Sequence, residues 1–257
     1  MKIFCVGDVV SRVGREMLHT HLRRVIDEND ISLTVINGEN LSHGHGMSRR
    51  AYEEMTDCGV DGFTLGNHAW DCKEIVNLMM YNKNIIRPAN FSDRCPGKGS
   101  MLLTARNGQR VGVINLSGQT YMNPCSCPFE AAEREIKSLK KETDIILVDF
   151  HAEATSEKQA MGWYLDGKVS AVFGTHTHVQ TADEMILPSG TGYITDLGMT
   201  GAVYSILGME RKPVIERFIT GMPQKFSVAD GEGRLCGCIF DINDKGITEN
   251  VTRISIM

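Results

Sequence analysis

The sequence predicts an α/β fold in a single domain spanning residues 1–257. Short apolar runs alternate with helical patterns, as in strands joined by helices. Five of these runs end directly in polar residues, and ligands bind at such carboxyl ends in parallel sheets. No internal repeat, linker or low-complexity tract divides the chain, and the second half is expected to be rich in strands.

The first half of the chain is expected to alternate strands with helices. Lys2–Val6 is an apolar strand, and apolar residues at helical spacing predict a helix over Arg15–Asn29. Ser48 is a favourable N-cap and Gly59 a favourable C-terminal residue for the helix between them. The other elements expected here are strands at Leu33–Ile36, Gly62–Leu65, Met101–Ala105 and Val111–Leu116, and a helix at Asp71–Asn82.

The second half is expected to contain two further apolar strands, Asp144–Phe150 and Val169–Phe173, each followed by a histidine motif. A polar helix is expected before each of them. A hairpin is predicted around the turn at Pro188–Gly190. The remaining expected elements are helices at Phe129–Lys141 and Ser156–Asp166, and strands at Met185–Leu187, Gly192–Thr195, Ile215–Thr220, Lys225–Val228, Leu235–Ile242 and Ile247–Met257. The C-terminal strands either complete the second sheet or form a subunit contact.

The composition restricts the classes of function. A net charge of −5 disfavours a broad nucleic-acid-binding face, but it allows a small phosphate-bearing substrate. No run approaches the roughly 18 apolar residues of a membrane helix. The start of the chain lacks the pattern of a signal peptide, so a cytoplasmic protein with no membrane partner is expected. The eight cysteines are then expected to be reduced thiols rather than disulfides or zinc ligands.

Two histidines follow the strand Val169–Phe173, in the motif Gly174-Thr175-His176-Thr177-His178. In an extended segment these two side chains would point the same way, because side chains alternate with a period of two. Imidazoles that converge beyond a strand end suit a metal ion, although His-x-His alone is weak evidence. The prediction of a metal site therefore depends on the other strand ends.

Four other predicted strands also end in polar groups that can bind a metal. Carboxylates, imidazoles and amide oxygens suit Mn²⁺, Fe or Zn²⁺, and no cysteine is needed. A carboxylate can bridge two such ions, whose residual positive charge would attract a phosphate and acidify a bound water. These strand ends are Asp8, Glu39-Asn40, Asn67-His68 and His151.

The order of these motifs and their places at strand ends resemble the calcineurin-like metallophosphoesterases. Val10 stands where many members have a metal-binding His, and Glu39 stands where most have a bridging Asp. Both departures resemble the bacterial YmdB-like branch, which hydrolyses cyclic nucleotides and other phosphodiesters, as do residues 148–158 and 195–201. The motifs that carry the resemblance are Gly7-Asp8, Gly38-Glu39-Asn40, Gly66-Asn67-His68, His151 and Gly174–His178.

The resemblance implies two packed mixed β-sheets flanked by helices, an α/β/β/α sandwich. It also implies two metal ions per chain, with Fe or Mn favoured and Zn or Mg as alternatives, and attack by a metal-bound hydroxide. His68 would protonate the leaving oxygen. The implied ligands are Asp8, Asn40 and His178 for the first ion, Asn67, His151 and His176 for the second, and Glu39 as the bridge.

The expected activity is hydrolysis of 2′,3′- or 3′,5′-cyclic nucleotides or related phosphodiesters, with RNA ends as a further substrate class. Two alternatives remain: a phosphomonoesterase or protein phosphatase on the same scaffold, and a regulatory protein that binds a nucleotide or metal without turnover. A homo-oligomer is also open, and no substrate-binding residue is assigned. An amidohydrolase is disfavoured, because its His-x-His usually lies on the first barrel strand.

Four further polar residues near the motifs have two interpretations each. His43 and His45 could reach the phosphate from their Gly-rich loop, but exposed loop residues are the favoured interpretation. Glu153 and Asp196 either hydrogen-bond the metal ligands or are ordinary polar loop residues.

Overall fold

The computed structural model describes residues 1–257 and contains fourteen strands and six helices. The strands are β1 (Lys2–Val6), β2 (Asp8–Val9), β3 (Ile31–Asn37), β4 (Gly62–Thr64), β5 (Ile85–Ile86), β6 (Ser100–Thr104), β7 (Arg110–Ser117), β8 (Ile146–His151), β9 (Ala171–Thr175), β10 (Met185–Ile186), β11 (Gly192–Ile194), β12 (Met199–Ala202), β13 (Gly233–Ile242) and β14 (Thr248–Ile256). The helices are α1 (Ser11–Asn29), α2 (Arg49–Cys58), α3 (Ile75–Tyr81), α4 (Pro128–Leu139), α5 (Thr155–Leu165) and α6 (Arg211–Thr220).

The strands form two mixed sheets. The eight-stranded sheet has the order β2-β12-β13-β1-β3-β4-β5, with β14 paired to β13, and the six-stranded sheet has the order β10-β11-β9-β8-β7-β6. Within them β1, β3 and β4 run parallel, as do β7, β8, β9 and β11, whereas β13 runs antiparallel to β1. Parallel neighbours bring their carboxyl ends to one edge of each sheet, and this arrangement creates the binding edge expected from the sequence.

Three apolar layers hold the sheets and helices together. The core between the two sheets contains Leu33 and Phe240 from the larger sheet and Leu147 and Phe173 from the smaller one. Helices α1 to α3 cover the outer face of the larger sheet, and α4 and α5 cover the outer face of the smaller sheet. An amphipathic element has to bury its apolar face against a neighbour, and this four-layer stack does so for both sheets. The predicted α/β/β/α sandwich is confirmed.

Local sequence signals located several elements correctly. The hydroxyl of Ser48 accepts a hydrogen bond from the backbone N–H of Ala51 at 3.3 Å, and α2 begins directly after it. Gly59 ends this helix with a φ of 108°, a conformation that costs glycine little. The hairpin of β10 and β11 around Pro188–Gly190 is also confirmed.

Other predictions of the ends and types of helices and strands were wrong for identifiable reasons. Helix α1 begins at Ser11 rather than Arg15, because the first turn has no side-chain cap that would mark it in the sequence. The segment Ile215–Thr220 is helical rather than a strand, since α6 begins at Arg211 and accommodates Pro213 in its first turn. Helix α3 is also shorter than expected, and it begins at Ile75.

The C-terminal part of the chain completes the larger sheet. Strand β13 lies between β1 and β14, so one strand separates the last strand of the chain from the first. The predicted strand at Lys225–Val228 is absent, and only an isolated bridge joins Val228 to Met209. Strand β12, which pairs with the short β2, was not predicted. None of the six helices has the length and apolar character needed to cross a membrane.

Candidate metal centre and active site

All seven predicted ligands come together at the carboxyl ends of strands from both sheets. Asp8 follows β1, Glu39 and Asn40 follow β3, and His151 is the last residue of β8. These four residues are almost completely buried. Asn67, after β4, and the pair His176 and His178, after β9, complete the set. The backbone after β4 passes so close to the His151 ring that it needs a glycine, because a Cβ on Gly66 would lie 2.3 Å from that ring.

One group of donor atoms surrounds the imidazole of His151. Its Nε2 lies 3.0 Å from Oε1 of Glu39 and 2.9 Å from Oδ1 of Asn67. Nδ1 of His176 lies 3.1 Å from the same nitrogen. Glu39, His151 and His176 each present an atom that could bind one shared metal ion.

A second group of polar atoms surrounds the carboxylate of Asp8. Oδ1 of Asp8 lies 3.6 Å from Nε2 of His178, and the side-chain nitrogen of Asn40 lies 3.4 Å and 3.3 Å from these two atoms. The amide of Asn40 would have to turn over to present its oxygen to a metal. The two groups adjoin each other, since the backbone N–H of His176 donates to Oδ2 of Asp8 at 3.0 Å.

The hydrogen bonds of His151 favour a cation between its Nε2 and the oxygens of Glu39 and Asn67. Nδ1 of His151 lies 2.9 Å from the hydroxyl of Thr175, and that hydroxyl donates to Oδ1 of Asp149 at 2.7 Å. The hydroxyl therefore accepts from Nδ1–H, so Nε2 of His151 faces the oxygens of Glu39 and Asn67. Once Nε2 loses its proton, its lone pair converges with those of the two oxygens, so the residues fit a bound metal.

The charges of the site shift the pKa values of its members. Burial would raise the pKa of the Asp8 carboxyl, but the hydrogen bond and charge of His178 lower it well below its usual range. Burial opposes charge on His151 as well, yet the neighbouring Glu39 raises its pKa to about 9. Burial and the charge of His151 lower the pKa of His176 to about 4. The metal-free site thus stores a proton on His151 at neutral pH.

Metal binding to this site is expected to release that proton. Below pH 9 the free His151 is protonated, and a metal ion that uses Nε2 must displace the proton, so affinity should rise with pH. We expect an increase of about tenfold per pH unit between roughly pH 6 and 8 for the release of one proton. Calorimetry of Mn²⁺ binding in buffers of different ionisation enthalpy measures this release. An affinity independent of pH would contradict the prediction.

The backbone around the His-x-His motif differs from the extended segment assumed in the sequence analysis. Strand β9 ends at Thr175, and His176 and His178 have φ values of 96° and 64°. Residues other than glycine seldom adopt positive φ, so neighbouring contacts must stabilise this turn. The prediction that His176 and His178 lie in an extended segment was therefore wrong, although both imidazoles do reach the same site.

A buried ion pair holds this turn in place. Nζ of Lys158 lies 2.5 Å from Oδ2 of Asp196, and both side chains are at most 2% exposed. The same oxygen of Asp196 accepts hydrogen bonds from the hydroxyl of Thr177 at 2.7 Å and from its backbone N–H at 3.2 Å. Oδ1 of Asp196 accepts from the N–H of Gly198 at 2.7 Å. Asp196 therefore fixes the residue between the two histidines.

His68 stands at the rim of the same site. Its backbone N–H donates to Oε2 of Glu39 at 2.9 Å, and its Nδ1 lies 2.8 Å from Oδ2 of Asp71. The side chain lines a cavity of about 220 Å³ next to the metal centre. Nε2 of His68 has no hydrogen-bond partner in the protein. Sequence reasoning overlooked Asp71, although its spacing of three residues from His68 in a turn could have indicated the contact.

The sequence left two interpretations open for Glu153, Asp196, His43 and His45, and the structure places these residues in different surroundings. Oε2 of Glu153 lies 3.1 Å from Nε2 of His176, so Glu153, like Asp196, contacts the candidate metal centre or its supporting turn. His43 and His45 line a cavity of about 440 Å³ that adjoins the one at the candidate metal centre at Met209. The ring of His45 lies 6.2 Å from that of His68.

Sequence reasoning also missed the polar residues beneath His151. Asp149 accepts hydrogen bonds from Thr64 at 2.5 Å and from Thr175 at 2.7 Å, while burial raises its pKa to about 6. Asp149 lies two residues before His151 on β8 and on the same face, so the period of the strand could have indicated it.

Comparison with known proteins agrees with this geometry. The family model of YmdB-like proteins matches residues 4–254. The chain belongs to the YmdB-like family. It is 48% identical over 245 residues to a 2′,3′-cyclic-nucleotide 2′-phosphodiesterase from Bacillus subtilis strain 168, and the match covers 95% of this chain and 92% of that relative. Family membership confirms the resemblance inferred from the motifs.

Solved structures share the fold. The structure of a phosphatase from Mycoplasma pneumoniae is similar over 100% of this chain and 93% of its own length, with a TM-score of 0.93 and 33% identity. A 5′-nucleotidase precursor from Thermus thermophilus, at 13% identity, covers 100% of this chain and 54% of its own length with a TM-score of 0.58, which shows the fold alone. The predicted enzyme class, a hydrolase of phosphodiesters, agrees with the family and with the relative from Bacillus subtilis.

Proposed function

We propose that this protein is a metal-dependent phosphodiesterase that hydrolyses 2′,3′-cyclic nucleotides. The observation that carries the proposal is the pair of adjoining donor groups, around Asp8 and around His151, beside a cavity lined by His68. Two neighbouring divalent ions, a proton donor and an open cavity are what hydrolysis of a phosphodiester requires. The name of the relative from Bacillus subtilis supports the choice of substrate.

We propose that two ions bind, with Fe or Mn favoured and Zn or Mg as alternatives. The first would be held by Asp8, Asn40 and His178, and the second by Asn67, His151 and His176, with Glu39 shared between them. When bound, the ions neutralise phosphoryl oxygens and lower the pKa of a coordinated water. The oxygen-rich and imidazole-rich donor set, without cysteine, supports these metals.

The side chains of the protein supply the remaining steps. Asp71 accepts a hydrogen bond from Nδ1–H of His68 and orients the ring, so the protonated ring presents Nε2–H to the leaving oxygen. Glu153 orients His176 through its contact with Nε2. The chain of hydrogen bonds from His151 through Thr175 to Asp149 fixes the imidazole of His151. These contacts hold the reacting groups before the substrate binds.

A phosphomonoesterase on the same scaffold is the second candidate, because the similar structure from Mycoplasma pneumoniae is that of a phosphatase. Hydrolysis of bis-p-nitrophenyl phosphate, p-nitrophenyl phosphate, and 2′,3′- and 3′,5′-cyclic AMP should be compared on protein of measured metal content. We expect about two metal ions per chain and a preference for the 2′,3′-cyclic diester. Turnover of the monoester alone would reject the diesterase, and fewer than one ion in active protein would reject the metal centre.

A further inference from the structure

A cavity larger than the one at the candidate metal centre adjoins it and has no role in the function proposed above. Its volume is about 620 Å³, against about 220 Å³ for the cavity at the metal centre. His178 and Leu207 line both cavities, so the two adjoin at these residues. Ligand sites for molecules of nucleotide size commonly occupy about 300–1,000 Å³. The smaller cavity lies below this range, so a nucleotide whose reacting end occupies it would extend beyond it.

Two arginines give this cavity a positive charge. Arg253 is partly neutralised by Glu184, whose Oε1 lies 3.3 Å from its Nε. Arg234 forms no ion pair, and its Nε is buried without a hydrogen-bond partner. Its nearest polar contact is Nη2 to the sulfur of Met257, at 3.7 Å. Arg234 is partly exposed and its guanidinium has no carboxylate partner, so it is available to an anion in the cavity.

The sheet register places Arg234 within reach of the candidate metal centre. Strand β12 pairs Met199 with Asp8 on one side and Gly201 with Arg234 on the other. Arg234 therefore lies two strand spacings across the sheet and two residues along it from Asp8, a separation of about 12 Å between backbones. Ser255, on β14 opposite Cys236, adds a hydroxyl to the same cavity.

We propose that this cavity binds a second phosphate of the substrate, so that the preferred substrate is a short oligonucleotide ending in a 2′,3′-cyclic phosphate. This proposal rests on the phosphodiesterase function proposed above. Arg234 presents its planar guanidinium to the phosphate that links the terminal nucleotide to its neighbour, where paired N–H donors match phosphate oxygens. Ser255 offers a further donor to the same phosphate. Only the last nucleotides would bind, because a net charge of −5 disfavours a broad basic face.

The test compares two substrates that differ by one nucleotide. Values of kcat/KM are measured for 2′,3′-cyclic AMP and for the dinucleotide of adenosine that ends in the same cyclic phosphate. We expect a dinucleotide-to-mononucleotide ratio of about ten in the wild type, expressed mainly in KM, and a ratio near one in Arg234→Gln. The salt dependence for the dinucleotide should also weaken in that variant. Arg23→Gln is the matched control, because Arg23 is 81% exposed and pairs only with Asp27 on α1; its ratio should equal that of the wild type.

The outcomes separate the two proposals. Hydrolysis of the mononucleotide with a ratio that Arg234→Gln does not change would overturn the second phosphate site and leave the phosphodiesterase intact. Failure of the metal-loaded wild type to cleave either substrate would overturn the phosphodiesterase. In that event, binding of a fluorescent dinucleotide with a 3′-phosphate is measured by anisotropy. A Kd equal in wild type and Arg234→Gln would reject the phosphate site, and a Kd about tenfold weaker in the variant would support it.

Discussion

Glu39→Gln is expected to lower kcat/KM for 2′,3′-cyclic AMP by about 10³-fold, which corresponds to roughly 4 kcal/mol. The two oxygens of Glu39 face different parts of the site, Oε1 towards His151 at 3.0 Å and Oε2 towards the N–H of His68 at 2.9 Å. Glutamine keeps the shape but removes the negative charge that the two proposed cations would need. It also places an N–H₂ group among the lone pairs that would bind the metal.

Metal content distinguishes this explanation from a general loss of structure. Glu39→Gln should retain fewer ions than the wild type after dialysis, while its circular dichroism spectrum stays unchanged. Glu53→Gln is the matched control, because Glu53 lies on the exposed face of α2 and outside the site; its activity and metal content should equal those of the wild type. A Glu39→Gln variant with two ions and activity within threefold of the wild type would reject the bridging role.

Most residues at the candidate site could be located from the sequence, because they depend on local patterns. An apolar run followed at once by a polar residue indicates the end of a buried strand, and Asp8 and His151 were found in this way. Parallel neighbours then bring such ends together whatever the length of the intervening loops. Local signals also decided how well the helices were predicted. Both ends of the capped helix α2 were predicted to the residue, whereas the start of the uncapped α1 was not.

Features that depend on contacts distant in the sequence could not be predicted. The positive φ values of His176 and His178 are stabilised through Thr177 by Asp196, some twenty residues away. Lys158, on α5, has no local signal that distinguishes it from an exposed helical lysine, yet it is 2% exposed. Strand β12 is equally dependent on tertiary context, since four residues pair there with β2 and β13 from opposite ends of the chain.

Lys158→Met is expected to destabilise the protein by about 3–5 kcal/mol and to lower Tm by roughly 10 °C. Methionine fills the space of the aliphatic part of lysine but leaves the carboxylate of Asp196 buried without its cation. We propose that the whole chain is a single domain, so thermal unfolding followed by circular dichroism should show one transition in both proteins. Lys137→Met, at an exposed position on α4, is the matched control and should change Tm by less than about 2 °C.

Adding Asp196→Asn to Lys158→Met tests whether the unpaired charge is the cause. Asparagine carries no charge and keeps one of the two oxygens, so it can still accept from Thr177 although not from Gly198 as well, and the double variant should recover about 2 kcal/mol of the loss. If the two substitutions were simply additive, the loss would come from packing around Lys158, and Asp196 would support the turn without its ion pair.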